Sequence, residues 1–229
     1  MKFKITLKIN RKFGDLLPFN YQYEQSAVIY RILAQADTQY SSWLHENGYL
    51  LHERKRFKLF CYSPFIFEKV KPFPEAGCLK IIGERAVWYI SFIPEKSTLE
   101  FIQGIFAHQS FTIGNKKYQV AFDVVGVEAI PMPQLSEEMT FVALSPICVK
   151  LHEDNKTQYL SPDNPMFAEG VLKGLMARYE SIHGQPFDMN DKEFSFELTD
   201  NKVKSKLIII KANTPYRADA SKCVRLQKF

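Results

Sequence analysis

The strongest periodicity in the chain lies at its start, where Phe3, Ile5, Leu7 and Ile9 alternate with Lys2, Lys4, Thr6 and Lys8. Alternation with period two places the two sets on opposite faces of an extended chain, so residues 2–9 predict a half-buried strand. After the turn-like GDLLP the spacing becomes helical. Tyr23, Ala27, Tyr30 and Ala34 recur at intervals of three and four, and Asp37 is placed to cap a shorter second helix running toward Gly48. That spacing makes Tyr30 a core or half-core residue by default. Strand patterns follow at 57–62 (FKLFCY), 78–83 (CLKIIG) and 86–93 (AVWYISFI), then a helix at 95–107 and strands within 109–130. The order is close to β-α-β-β-α-β.

Residues 130–139 (IPMPQLSEEM) carry prolines and charge with little periodicity and read as a linker. Beyond it, 140–150 predicts a strand and HEDNKT at 152–157 a hairpin loop. Asp163 is placed to cap a helix carrying Phe167, Val171, Leu175, Tyr179 and Ile182 and ended by Gly184. Strands at 193–199 and 203–212 come next, and the residues left are too few for another helix and a full final strand. The expected architecture is therefore α+β, with two tandem ferredoxin-like (RRM-like) domains at 1–130 and 139–229, the second incomplete.

Composition narrows the class. With 46% hydrophobic residues over 229 positions the chain has material for two cores and is not a disordered protein. No run approaches the roughly 18 apolar residues of a membrane span, and the alternating start lacks the apolar stretch of a secretory signal, so the expected location is the cytoplasm. Cys61, Cys78, Cys148 and Cys223 form no CxxC pair and suggest neither a zinc ribbon nor a disulfide scaffold. His45-Glu46 and His52-Glu53 do not extend to HExxH, and neither GxxxxGK[ST] nor GxGxxG occurs, so no metal and no cofactor are expected.

Charge is unevenly distributed. Residues 1–58 hold ten Lys or Arg against five Asp or Glu, residues 59–200 twelve against nineteen, and residues 201–229 eight against one. Clustered cations at both ends suit a polyanion, because phosphate binding releases counterions. They equally suit solvated strand edges, where lysine discourages aggregation.

Four segments decide between these. FNYQYEQSAVIYRILA at 19–34, WLHENGY at 43–49, FKLFCYSP at 57–64 and FVALSPICV at 141–149 resemble the CRISPR-associated repeat-RNA endoribonucleases of the RAMP superfamily. The likeness runs in order along nearly the whole chain. It implies two ferredoxin-like domains, CRISPR repeat RNA as partner, and cleavage of the precursor transcript that leaves a cyclic phosphate. By position it places the family's tyrosine on Tyr30, its histidine on His45 and its lysine on Lys58. The family ordinarily closes with a glycine-rich loop and a last strand, whereas the final glycine here is Gly184, so the second domain is expected to lack both.

The chemistry such a site needs is a base for the RNA 2′-hydroxyl, an acid for the departing oxygen and a cation near the phosphorane. His45 suits the base, since imidazole exchanges protons near neutral pH. Tyr30 suits positioning of the phosphate or the leaving oxygen. Lys58, between Phe57 and Leu59 on a predicted strand, suits phosphate stabilisation. On residues alone a single histidine is more often a surface group and Lys58 a solvated strand lysine, with Arg54 or Arg56 able to supply the charge instead. RNA is expected along Arg54, Lys55, Arg56, Lys202, Lys204, Lys206, Lys211 and Arg217, with Tyr216 for base stacking. A non-cleaving repeat-RNA binder and a structural subunit of a CRISPR effector complex are the competing readings, and a homodimer stays open.

Overall fold

In the computed structural model the described residues are 1–52, 55–145, 147–153, 156–190, 193–198, 204–208 and 221–225. They contain β1 (Lys2–Asn10), β2 (Leu16–Pro18), α1 (Gln22–Ala36), α2 (Thr38–Glu46), β3 (Tyr49–Leu51), β4 (Lys55–Phe57), β5 (Phe60–Tyr62), β6 (Ile66–Phe67) and β7 (Val70–Phe73). There follow β8 (Cys78–Ile81), β9 (Arg85–Phe92), α3 (Glu95–Ala107), β10 (Ser110–Gly114), β11 (Gln119–Ile130), β12 (Val149–Glu153), β13 (Lys156–Leu160), α4 (Met166–His183), β14 (Lys204–Ile208) and β15 (Ser221–Arg225). The chain divides into two compact units, Met1–Gly48 with Lys58–Gln134, and Tyr49–Phe57 with Leu135–Phe229.

In the first unit the principal sheet runs β10-β11-β1-β9-β5, all neighbours antiparallel, with β6 also pairing β9. Leaving aside the added edge β10, the order is fourth, first, third and second strand of a β-α-β-β-α-β unit, which is the ferredoxin-like arrangement. The alternation at 2–9 works as expected: Phe3, Ile5, Leu7 and Ile9 are buried. They meet Trp88, Ile90 and Phe92 from β9, Phe122 from β11, and Phe101 and Ile105 from α3 in one core. Aromatic rings lock it, Phe101 lying 5.0 Å from Phe92 and 6.4 Å from Trp88. Helix α3 crosses α1 so closely that a Cβ on Gly104 would sit 1.8 Å from the Ile32 carbonyl oxygen.

Three expectations about this unit change. The buried stripe of α1 is Gln25, Val28, Ile29, Ile32 and Leu33, not the Tyr23-Ala27-Tyr30-Ala34 set. Branched aliphatics gain more from burial than tyrosines whose hydroxyls need partners, so the helix turns Tyr23 outward and leaves Tyr30 half-buried at the rim. The predicted strand 57–62 is two strands, because β4 pairs with β3 while β5 pairs with β9. The chain must turn between them, and Leu59 takes a left-handed φ of 54° to do so. The 78–83 segment forms β8, which lies in a separate three-stranded sheet between β2 and β7.

In the second unit β12 and β13 form the expected hairpin, and Val149, Leu160 and Phe167 make a small core with Ile147, Leu151, Val171 and Phe196 packed against it. Helix α4 ends at Gly184, whose φ of 69° suits glycine. Its start is not capped by Asp163: Asn164 Oδ1 accepts from Met166 N at 2.9 Å, while the Asp163 carboxylate accepts from Ser161 Oγ. The two side chains are of equal length, but Asn164 sits one residue nearer the first free N–H and reaches it. The strand expected over 140–150 begins only at Val149, where a partner in β13 first becomes available. No strand occurs within the described residues 193–198, although Phe196 contributes to the core. Strand β14 occupies part of 203–212 and pairs with β15.

Candidate active site

Helix α2 supplies the histidine. Asp37, extended at φ −144°, accepts from Tyr40 N at 2.8 Å and starts the helix one residue after α1 ends. This tight corner folds α2 back along α1, so residues from the two helices meet although eleven or more positions separate them. Ser41 Oγ, on a buried residue, donates to the Tyr30 carbonyl oxygen at 2.7 Å. One turn further along α2, the His45 ring meets the Tyr30 ring edge to face, with centroids 4.9 Å apart and planes at 86°. His45 is solvent-exposed and Tyr30 half-buried.

Strand β5 holds the other side of Tyr30. Phe60 makes a second edge contact with it at 5.7 Å and rests on Phe92 at 5.8 Å. Two residues on, the Tyr62 hydroxyl donates to the Gln22 carbonyl oxygen at 3.0 Å. Burial, reinforced by the nearby Tyr62, pushes the Tyr30 hydroxyl up to about 12. At neutral pH it carries its proton and is chemically able to donate.

Lys58 comes from the turn between β4 and β5. Its Nζ donates to the Leu44 carbonyl oxygen at 2.5 Å and to the His45 carbonyl oxygen at 2.6 Å. An ammonium at a helix C-terminus pairs with carbonyls left over by the helix ladder and with the negative end of the dipole. Strand alternation therefore does not aim Lys58, because it lies on no strand; the left-handed turn at Leu59 and the open end of α2 do. Tyr30, His45 and Lys58 are thus gathered at one end of α2, within the first unit.

The remaining predicted residues belong to the second unit. Lys55 and Arg56 are exposed on the β3–β4 hairpin of the second unit, opposite Leu51 and Leu50. That hairpin docks on α4: Arg178 lies over the Phe57 ring at 5.3 Å, and His52 Nε2 is 2.9 Å from Glu180 Oε1. Lys204 and Lys206 lie two positions apart in β14, in register with Arg225 and Cys223. Arg54, Lys202, Lys211, Tyr216 and Arg217 lie outside the described residues. Among the described residues no three His, Cys, Asp or Glu side chains converge as metal ligands, and no helix is long and apolar enough to cross a membrane.

Sequence reasoning assigned no part to Ser41, Phe60 or Tyr62. The signals were present: Ser41 stands four residues before His45 on one helix, and Phe60 and Tyr62 alternate on one strand face. Only the pairing of α1 with α2 and of β5 with β9 shows what they touch.

An antiparallel ferredoxin-like unit followed by a second α+β unit is a fold of RAMP type. The model described as CRISPR-associated protein Cas6, N-terminal, matches residues 16–122, and that described as CRISPR associated protein Cas6, C-terminal, matches residues 130–223. The chain belongs to the Cas6 family. It is 27% identical over 212 residues to CRISPR-associated endoribonuclease Cas6 1 of Methanocaldococcus jannaschii, covering 91% of this chain and 76% of that one. It is 24% identical over 189 residues to CRISPR-associated endoribonuclease Cas6 of Pyrococcus furiosus, covering 82% and 66%. A solved structure described as CRISPR associated protein Cas6 superposes with a TM-score of 0.69 at 26% identity, covering 99% of this chain and 85% of that one. Another, "An RAMP protein binding different RNA substrates", shares the fold with a TM-score of 0.67 at 22% identity and the same coverage.

Proposed function

We propose that this chain is an endoribonuclease that binds CRISPR repeat RNA and cuts the precursor transcript into guide RNAs through the RNA's own 2′-hydroxyl, leaving a cyclic phosphate and requiring no metal. One observation carries the reading: an edge-on Tyr30–His45 pair with the Lys58 ammonium bound at the carbonyl of the same histidine. These three side chains cover the three tasks of in-line transesterification. His45 takes the 2′-hydroxyl proton, the protonated Tyr30 hydroxyl donates to the phosphate or leaving oxygen, and the Lys58 ammonium offsets charge on the phosphorane. The exposure of His45 lets RNA approach it, while Phe60 packs against the Tyr30 ring and Ser41 bonds the Tyr30 carbonyl.

Affinity is assigned to basic positions of the second unit, Lys55 and Arg56 on the hairpin and the lysines of the C-terminal segment, which position the backbone without reading bases. The M. jannaschii and P. furiosus relatives carry the name endoribonuclease, which supports the same chemistry here. A second reading, a repeat-RNA binder that does not cut or a structural effector subunit, draws on one feature. Lys58 is engaged by helix-end carbonyls, a use that needs no substrate.

The test is a labelled repeat RNA, and the same RNA with a 2′-deoxy at the scissile nucleotide, incubated with the protein in excess EDTA. Cleavage of the ribo substrate alone, abolished by His45→Ala, is the expected result. Tight binding of both RNAs with no cutting, with or without added divalent metal, moves the protein to the second reading. Cutting that appears only with metal overturns the mechanism.

A further inference from the structure

We infer that Ser41 is a positioning residue for the reaction: its hydroxyl sets the register of α1 against α2 and so holds the Tyr30 ring at its working distance from His45. The inference rests on the Tyr30–His45 pairing proposed above. Ser41 and His45 are four residues apart on α2, so their side chains leave the same helix face one turn apart. That face touches Tyr30 twice, at its carbonyl through Ser41 Oγ (2.7 Å) and at its ring through His45 (4.9 Å between centroids). A ring held at both its backbone and its edge has little freedom to slide, and Phe60 closes the third side.

The bond is not needed to satisfy the carbonyl it meets. Tyr30 lies inside α1, where the helix ladder already brings an N–H to that oxygen. Removing the hydroxyl therefore strands no buried acceptor, and the main effect is expected in geometry rather than in folding. Ser41 itself is 5% exposed, so water has poor access to replace the lost donor. A displacement of about an ångström between reacting groups is enough to cost up to roughly a hundredfold in rate.

The experiment compares Ser41→Ala and Ser41→Thr with the wild-type protein in single-turnover cleavage of repeat RNA at saturating enzyme, alongside RNA affinity and melting temperature. The expected result is a cleavage rate lowered about tenfold or more in Ser41→Ala, with affinity and melting temperature nearly unchanged, and substantial recovery in Ser41→Thr, which keeps the hydroxyl. An unchanged rate in Ser41→Ala, or a fall that merely follows a loss of folded protein, overturns the inference. A second readout needs no RNA: the His45 ring-proton NMR shifts, which carry the ring current of the edge-on Tyr30. These shifts move in Ser41→Ala and return in Ser41→Thr if Ser41 sets the pair. Immobile shifts overturn the positioning role even in an active enzyme, whereas shifts that move in a protein that cuts no RNA locate the failure in the proposed activity.

Discussion

Replacing Lys58 by methionine separates the two uses of its ammonium. Methionine keeps much of the reach and apolar stem but loses the charge and both hydrogen bonds, so the Leu44 and His45 carbonyls at the end of α2 lose the donor they share. Hydrogen bonds involving a charged group contribute about 1.5–3 kcal/mol each when well buried. Here one bond is part-buried and the other exposed, so water offsets much of the loss and the total cost is about 1–2 kcal/mol, comparable with the dipole contribution of a cation at a helix end. For a chain of this size that corresponds to a fall of about 2–8 °C in melting temperature, read by calorimetry or circular dichroism. If Lys58 also faces the phosphorane, losing one preorganised cation lowers the single-turnover rate about 10²–10³-fold at saturating RNA. A loss no larger than the remaining folded fraction explains would leave Lys58 as a helix cap alone. A melting temperature that does not move would refute the capping argument itself.

Further outcomes follow from the same contacts. Tyr30→Phe keeps both ring contacts and removes only the hydroxyl, so the protein should stay folded and bind repeat RNA normally while single-turnover cleavage falls about 10²-fold or more; full activity would remove Tyr30 from the chemistry. Gly104→Ala puts a Cβ 1.8 Å from the Ile32 carbonyl oxygen, an overpacking that backbone on the other side cannot yield to cheaply. A cost of about 3 kcal/mol, visible as a left-shifted urea transition, is expected, and an unshifted transition would show that α1 and α3 separate freely. Burial raises the Tyr21 hydroxyl, like that of Tyr30, to about 12. A folded value above the unfolded one means that its stabilisation is complete below about pH 10 and is lost as pH rises toward 12, on the order of 2 kcal/mol for Tyr21. Urea titrations from pH 8 to 11.5 should show this alkaline decline, and Tyr21→Phe should reduce it, leaving the part due to Tyr30.

How much of this was legible beforehand depended on the range of the interactions. The β1 alternation, the Asp37 cap, the span of α3 and the glycine stop after α4 are local, decided within a few residues by side-chain period, capping geometry and backbone freedom. The order of elements in the first unit was readable for the same reason. The Asp163 cap failed at that same short range, because Asn164 competes for the same N–H and local spacing does not rank the two. The 57–62 strand failed because its two halves pair with different partners, and pairing is not a local property.

The candidate site shows the same division. Residue types and their order, through the likeness to a known family, were enough to nominate Tyr30, His45 and Lys58, since the chemistry needs an imidazole, a phenol and an ammonium. Their meeting was not. Tyr30 reached the rim only because Val28, Ile29, Ile32 and Leu33 took the buried face of α1, and Lys58 reached His45 only because Leu59 bends the chain where the free end of α2 offers carbonyls. Local periodicity is written in neighbouring side chains and can be read from the sequence alone. Which face of a helix wins burial, and which orphan carbonyl finds a lysine, is decided by groups far apart in the chain, and only the folded structure brings those together.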